Sequence, residues 1–157
     1  RPEYRWREGD IETMGLDLSI VRRSFTRQYG MTFLEMARQR RLRDGFEALS
    51  DGGRVIDAKM DARFESASAF RSAFAGILGC PPGHLKSMAL MLADWVTTPL
   101  GDMIAVCSAS HLHLLEFVER RALRRGVAVL AKRCKGDLGV AKTPSSVQIQ
   151  GELNAFF

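Results

Sequence analysis

Between Trp6 and Phe74 one arrangement occurs twice: a short helix-prone segment, a turn, and an amphipathic second helix, with a single long helix joining the two copies. The first copy runs from Trp6 to Leu16 and then from Asp17 to Gly30; the second runs from Arg54 to Phe64 and then from Glu65 to Phe74. Nothing else in the chain restricts its fold so strongly. A helix-turn-helix unit packs its second helix through one apolar stripe and leaves the opposite face free. Two units in tandem offer two helices to successive stretches of a DNA groove, which points to sequence-specific duplex recognition.

In the first unit Leu18, Val21 and Phe25 fall at i, i+3 and i+7, a stripe that packs against the preceding helix. The opposite face carries Ser19, Arg22, Arg23, Thr26 and Arg27. Asp17 stands where an N-cap belongs, after Gly15 and Leu16, with Gly15 suited to the turn. Arginine on such a face can pair bidentately with guanine or hold phosphate, and serine suits either contact. A solvated basic face on an ordinary helix is the competing reading of the same residues.

Thr32 to Glu35 is a capping box that opens the connecting helix, which runs to about Ser50 and stops at Asp51-Gly52-Gly53. Leu34, Ala37, Leu42, Phe46 and Leu49 are its candidates for burial, and Arg38, Arg40, Arg41 and Arg43 form its exposed side. In the second unit Ile56 and Met60 make one short stripe and Phe70, Phe74 and Ile77 the next, behind an N-cap at Ser66. The outward residues there are Ala67, Ser68, Arg71, Ser72 and Ala75. That face has little with which to read bases, so the first unit is expected to carry most of the specificity.

Length and charge agree with this without requiring it. A chain of 157 residues holds one domain or two small ones. Its net charge of +5 suits an anionic partner, but the excess is spread evenly: 15 Lys+Arg against 12 Asp+Glu in residues 1–86, and 8 against 6 in residues 87–157. No apolar run approaches the roughly 20 residues of a membrane span, and no signal-peptide pattern opens the chain. Cys80, Cys107 and Cys134 are far apart and odd in number, as reduced thiols of a cytoplasmic protein would be. His111 and His113 alternate as two residues of one strand with no third ligand nearby, so no metal site is expected.

Composition changes after Lys86. Met91 to Thr97 is apolar, and Met103 to Ser108 and His111 to Val118 are β-prone runs that read as a hairpin closed by Ala109-Ser110, with Leu112, Leu114 and Phe117 placed to share a core. Glu119 to Lys132 reads as a helix bearing Arg120, Arg121, Arg124 and Arg125; after a Gly-rich stretch, Ser145 to Phe157 reads as another. The result is a small α/β unit with few strands. It holds no paired carboxylates at catalytic spacing, no phosphate loop and no nucleophile beside a base, so no catalytic residue is assigned.

The spacing of both units resembles the AraC/XylS-type DNA-binding domain. The likeness rests on Gly15-Leu16 through Gly30, on Arg41-Leu42, and on Ala62-Arg63-Phe64-Glu65-Ser66 with Phe70 and Phe74, closed by Leu78-Gly79-Cys80-Pro81-Pro82-Gly83. It implies base contacts from Ser19, Arg22 and Arg23, supported by Arg27, in the first recognition helix, and from Ala67, Ser68, Arg71 and Ser72 in the second. One departure stands out: Arg63 occupies a place where the family has glycine, a cost of about 1 kcal/mol or more if the backbone there has positive φ.

Thr98 to Val106, Leu114-Leu115-Glu116-Phe117 and Glu152 to Phe157 are similar to the N-terminal lobe of methylated-DNA–protein-cysteine methyltransferases. The resemblance implies an α+β chain: an all-α tandem helix-turn-helix domain over residues 1–86 and a ribonuclease H-like lobe over 87–157. That order is the order of Ada-type adaptive-response proteins, which regulate transcription and repair alkylated DNA. The partners implied are double-stranded DNA and RNA polymerase, with no membrane and no small-molecule cofactor. Such repair moves an alkyl group irreversibly from O6-alkylguanine, flipped out of the helix, to an activated cysteine thiolate. The family's acceptor lies in a Pro-Cys-His-Arg motif that this sequence lacks; Cys107 and Cys134 do not match it, and Cys107 is expected in the core. Arg1-Pro2-Glu3 resembles the residues that follow the last zinc cysteine of the family's N-terminal domain, so zinc is expected there and not within these 157 residues. On this reading the chain is a fragment; the alternative is an AraC-type regulator whose second half serves only interaction or dimerisation.

Overall fold

The computed structural model describes residues 4–54, 64, 66–86 and 88–157. Six α-helices and four strands lie among them: α1 (Glu8–Thr13), α2 (Leu18–Tyr29), α3 (Phe33–Ser50), α4 (Ala67–Leu78), β1 (Met91–Thr98), β2 (Gly101–Cys107), β3 (Leu112–Phe117), α5 (Arg121–Arg133), β4 (Leu138–Val140) and α6 (Pro144–Phe156). A 3-10 turn, Pro82–His84, leads from the helical half toward the sheet. The fold is α+β, a helical region followed by a small α/β lobe. The first helix of the second unit, with Ile56, Met60 and Arg63, falls outside the described residues.

Local signals set the helix ends as the sequence demands. Asp17 caps α2 by accepting the Ser19 and Ile20 N–H groups at 2.7 and 3.0 Å, and Gly30 ends it with φ +73°. Thr32 and Glu35 form the capping box of α3, each side chain accepting the other's backbone N–H. Ser66 Oγ accepts the Ala69 N–H at 3.0 Å to open α4.

The sheet order is β3-β2-β1-β4, antiparallel except for β4, which runs parallel to β1. The sequence pattern does not announce β4, because three residues, Leu138-Gly139-Val140, inside a Gly-rich stretch carry no period. The pairing of Cys107 with Leu112 and of Val106 with Leu114 leaves one extra residue in β3, a bulge at His113. This corrects the expected common core of Leu112 and Leu114. The bulge reverses the alternation, so Leu114 packs on the face covered by α5 while Leu112, opposite Cys107 on the other face, stays 45% exposed.

The main core crosses residue 86. Phe46 of α3 and Phe70, Phe74 and Ile77 of α4 pack in one cluster with Trp95, Ile104 and Val106 of the sheet and Leu123, Val127 and Leu130 of α5. Phe46, Phe70 and Phe74 are wholly buried, each contributing about 1.5–3 kcal/mol by burial. On the opposite face Ile149 and Leu153 of α6 cover Val96, Ala105 and Cys107. There the Ser146 hydroxyl donates to Asp94 at 2.6 Å, pinning the start of α6 to β1.

Candidate nucleic-acid interface

Helix α2 has no fully buried residue; Leu18, Val21 and Phe25 are half-buried and every other position is exposed. Its stripe serves two neighbours, since Phe25 meets Phe33 at the start of α3 edge-on at 5.2 Å while Leu18 and Val21 line a cleft of about 350 Å³ with Ile11 and Leu34. The outer face carries polar groups together with the exposed Ile20.

Ser19, Arg22, Arg23 and Arg27 all lie on that exposed face. Ser19 Oγ donates to Asp17 at 2.6 Å, and the Arg23 Nε donates to the Ser19 carbonyl at 3.3 Å, which folds both side chains back on the first turn. Arg22 pairs with Glu8 of α1, a partner that no period in the sequence marks. Arg27 makes no ion pair or hydrogen bond among the described residues. The Asp17 carboxyl is held below the usual carboxylate range, first by the Ser19 hydroxyl and then by the Ile20 and Ser19 N–H groups. It therefore stays ionised at the positive end of the helix. Glu35 is likewise lowered, by the Thr32 N–H first and its hydroxyl second.

On α4, Ser68, Arg71 and Ser72 are exposed and Ala67 is half-buried. The four share the helix but supply one charge. The connecting helix differs from expectation: Arg38 and Arg40 are exposed, yet Arg41 and Arg43 are half-buried. Arg41 lies 6.0 Å over the Phe64 ring, and burial, with Arg5 and Arg38 nearby, lowers its affinity for a proton. Its stem follows the apolar seam between α3 and residue 64, which a charge count cannot reveal.

Cys107, at the end of β2, is buried on the face that α6 covers, and burial raises the Cys107 and Cys80 thiols above their ordinary range, which disfavours their thiolates. His113 Nε2 lies 2.9 Å from the Ser108 hydroxyl and His111 Nδ1 2.8 Å from Ser110. Among the described residues no three His, Cys, Asp or Glu side chains gather as a metal site, and no helix is long and apolar enough to cross a membrane.

A capped helix presenting arginines, set on a turn at Gly15 with φ +74° and followed by a second capped helix, defines a helix-turn-helix DNA-binding region attached to an α/β lobe. Residues 12–88 match the helix-turn-helix domain family, a span holding α2, α3 and α4, which supports DNA binding and transcription regulation. No curated protein and no solved structure matches the chain.

Proposed function

We propose that the chain is a sequence-specific regulator of transcription of the AraC/XylS type, working in the cytoplasm on double-stranded DNA and on RNA polymerase. The observation that carries this is the exposed Ser19, Arg22, Arg23 and Arg27 face of α2, inside the span that matches the helix-turn-helix family. Ser68, Arg71 and Ser72, with Ala67, serve the second unit. Residues 1–86 act as the DNA-binding part and residues 87–157 as the lobe. The lobe is the N-terminal, ribonuclease H-like lobe of an Ada-type methyltransferase, so regulation belongs to the response to DNA alkylation. Supporting this are the sheet order β3-β2-β1-β4 and the helical crossover through α5 to a strand parallel to β1.

Two experiments test the proposal in parts. Selection of bound duplexes from a random library should yield one preferred sequence, with Arg22→Ala and Arg23→Ala each losing about 1–3 kcal/mol on that sequence and flattening the preference. No enrichment would reject specific recognition. Intact mass of the native gene product after incubation with an O6-methylguanine duplex should rise by one methyl group; an unchanged mass would reject the repair assignment and leave the regulator.

A further inference from the structure

Among the described helices and strands, the largest net charge lies outside both helix-turn-helix units. Helix α5 contains Arg121, Arg124, Arg125, Lys132 and Arg133 and no Asp or Glu. The net charge of the whole chain is +5, so this one helix holds the entire excess and the remainder is neutral in sum.

The charges are arranged on one side. At 100° per residue Arg121, Arg125 and Lys132 fall on a narrow stripe opposite the buried Leu123, Val127 and Leu130, with Arg124 on its flank. All five cations are exposed, and none is ion-paired or hydrogen-bonded among the described residues. An ordinary solvated helix face mixes signs and carries acidic partners at i,i+4; this one has none. From Arg121 to Lys132 the stripe extends about 16 Å, the rise of about five phosphates of one strand measured along the duplex axis.

Position supplies the second argument. Helix α5 packs against α4, and the Leu123, Val127 and Leu130 side chains share a core with Phe70, Phe74 and Ile77 of the second recognition helix. We propose that the outer face of α5 binds the sugar–phosphate backbone of the same duplex, next to the second helix-turn-helix unit. The proposal rests on reading α2 and α4 as recognition helices. It also gives the thin chemistry of α4 a physical sense: phosphate contacts hold a reading helix in register without themselves reading sequence. A lobe fixed to α4 through a common core can deliver such contacts with little added ordering.

The test compares the intact 157-residue chain with Arg121→Gln/Arg125→Gln/Lys132→Gln and with Arg22→Ala/Arg23→Ala, binding duplexes several turns long between about 50 and 200 mM salt. The triple variant should bind roughly tenfold or more weakly at low salt. Its slope of log affinity against log salt should flatten by about 0.9 for each phosphate that is no longer neutralised, while preference among sequences is kept. Arg121→Lys/Arg125→Lys should restore the parent slope, and Arg125→Glu alone should weaken binding at an exposed site with little risk to the fold. An unchanged slope in the triple variant, with Arg22→Ala/Arg23→Ala impaired, would overturn the α5 assignment and leave the recognition helices standing. Normal binding and preference in Arg22→Ala/Arg23→Ala, with the triple variant impaired, would sink the groove reading and with it the shared-duplex proposal. Loss of adsorption to anionic phospholipid vesicles without loss on duplex would assign the face to a membrane surface and overturn the proposal as well.

Discussion

Phe46 of α3 meets Trp95 of β1 edge-on, ring centroids 5.5 Å apart and planes at 62°, and on its other side Phe46 stacks with Phe74 of α4 at 5.4 Å. One wholly buried ring thus joins the long helix, the second recognition helix and the central sheet. Removing it opens a cavity shared by all three, so Phe46→Ala should cost about 3–5 kcal/mol. The shared core also predicts one cooperative transition. In a Trp6→Phe protein, where Trp95 alone reports the sheet, and in a Trp95→Phe protein, where Trp6 alone reports the first helices, tryptophan fluorescence and far-UV circular dichroism should give the same urea midpoint within each protein; separated midpoints within either one would show that the halves unfold independently.

Arg22 is expected to contact bases, yet in the free chain its guanidinium is engaged by Glu8. Both side chains are about half exposed, so the pair adds at most about 1 kcal/mol to stability and is easily exchanged for DNA. Glu8→Gln should therefore leave the melting temperature nearly unchanged and raise duplex affinity a few-fold, an effect that Arg22→Ala abolishes. Isothermal titration of the single and double variants checks this as a double-mutant cycle. Additive effects would mean that Glu8 does not compete for Arg22.

The sequence was most legible where local chemistry decides structure. Asp17, Thr32 with Glu35, Ser66 and Gly30 set helix ends within a few residues of themselves, and each stands where the pattern put it. The hairpin of β2 and β3 was equally plain. What escaped depends on distant contacts. Strand β4 exists because β1 offers it a parallel edge, the half-burial of Arg41 comes from the aromatic ring of Phe64, and the exposure of Leu112 comes from one inserted residue in the ladder. At the candidate site the arginines were visible as a periodic face. Glu8 was not, because an ion pair across 14 residues of sequence has no periodic trace. The basic helix over residues 119–132 was legible with its arginines; what the fold adds is Lys132 on the stripe of Arg121 and Arg125, and α4 beside it.

Gly139 in β4 occupies a place where only hydrogen fits. A methyl group there would run into the Lys86 carbonyl oxygen and lie 2.9 Å from the Leu92 side chain. The obstacle is backbone, and that backbone is itself fixed by the Lys86 N–H bond to the Leu138 carbonyl at 3.0 Å. Gly139→Ala should destabilise by about 1–3 kcal/mol, the usual cost of overpacking. Gly151→Ala is the control, since a methyl on the exposed side of α6 meets nothing within 4 Å; removing a helical glycine there should be neutral or stabilising by up to about 1 kcal/mol. Thermal melts of the two variants, differing in sign or clearly in size, check the contrast. Equal melts would mean that the Lys86 segment yields.

Asp94 gives the chain a carboxyl whose ionisation opposes folding. Its burial raises the pKa, outweighing the Ser146 hydroxyl and the Trp95 N–H that act to lower it. The folded state therefore holds this proton more tightly than the unfolded chain, where aspartate titrates near about 3.9. The sign follows from linkage: the contribution of protonated Asp94 is fully present below the unfolded pKa and is lost as pH rises through the higher folded value. Asp94→Asn cannot ionise, and its amide can satisfy the same neighbours, accepting from the Trp95 N–H and donating to Ser146 Oγ, which then donates to the Thr143 carbonyl 3.0 Å away. Urea midpoints of the two proteins should therefore diverge as pH rises from acid to neutral, the parent losing stability relative to Asp94→Asn. Asp17, Glu35 and Asp137 have lowered pKa values and act in the opposite sense, but they are common to both proteins and cancel in the difference. A gap that stays constant from about pH 4 to about pH 7 would mean that Asp94 titrates alike in the folded and unfolded chain.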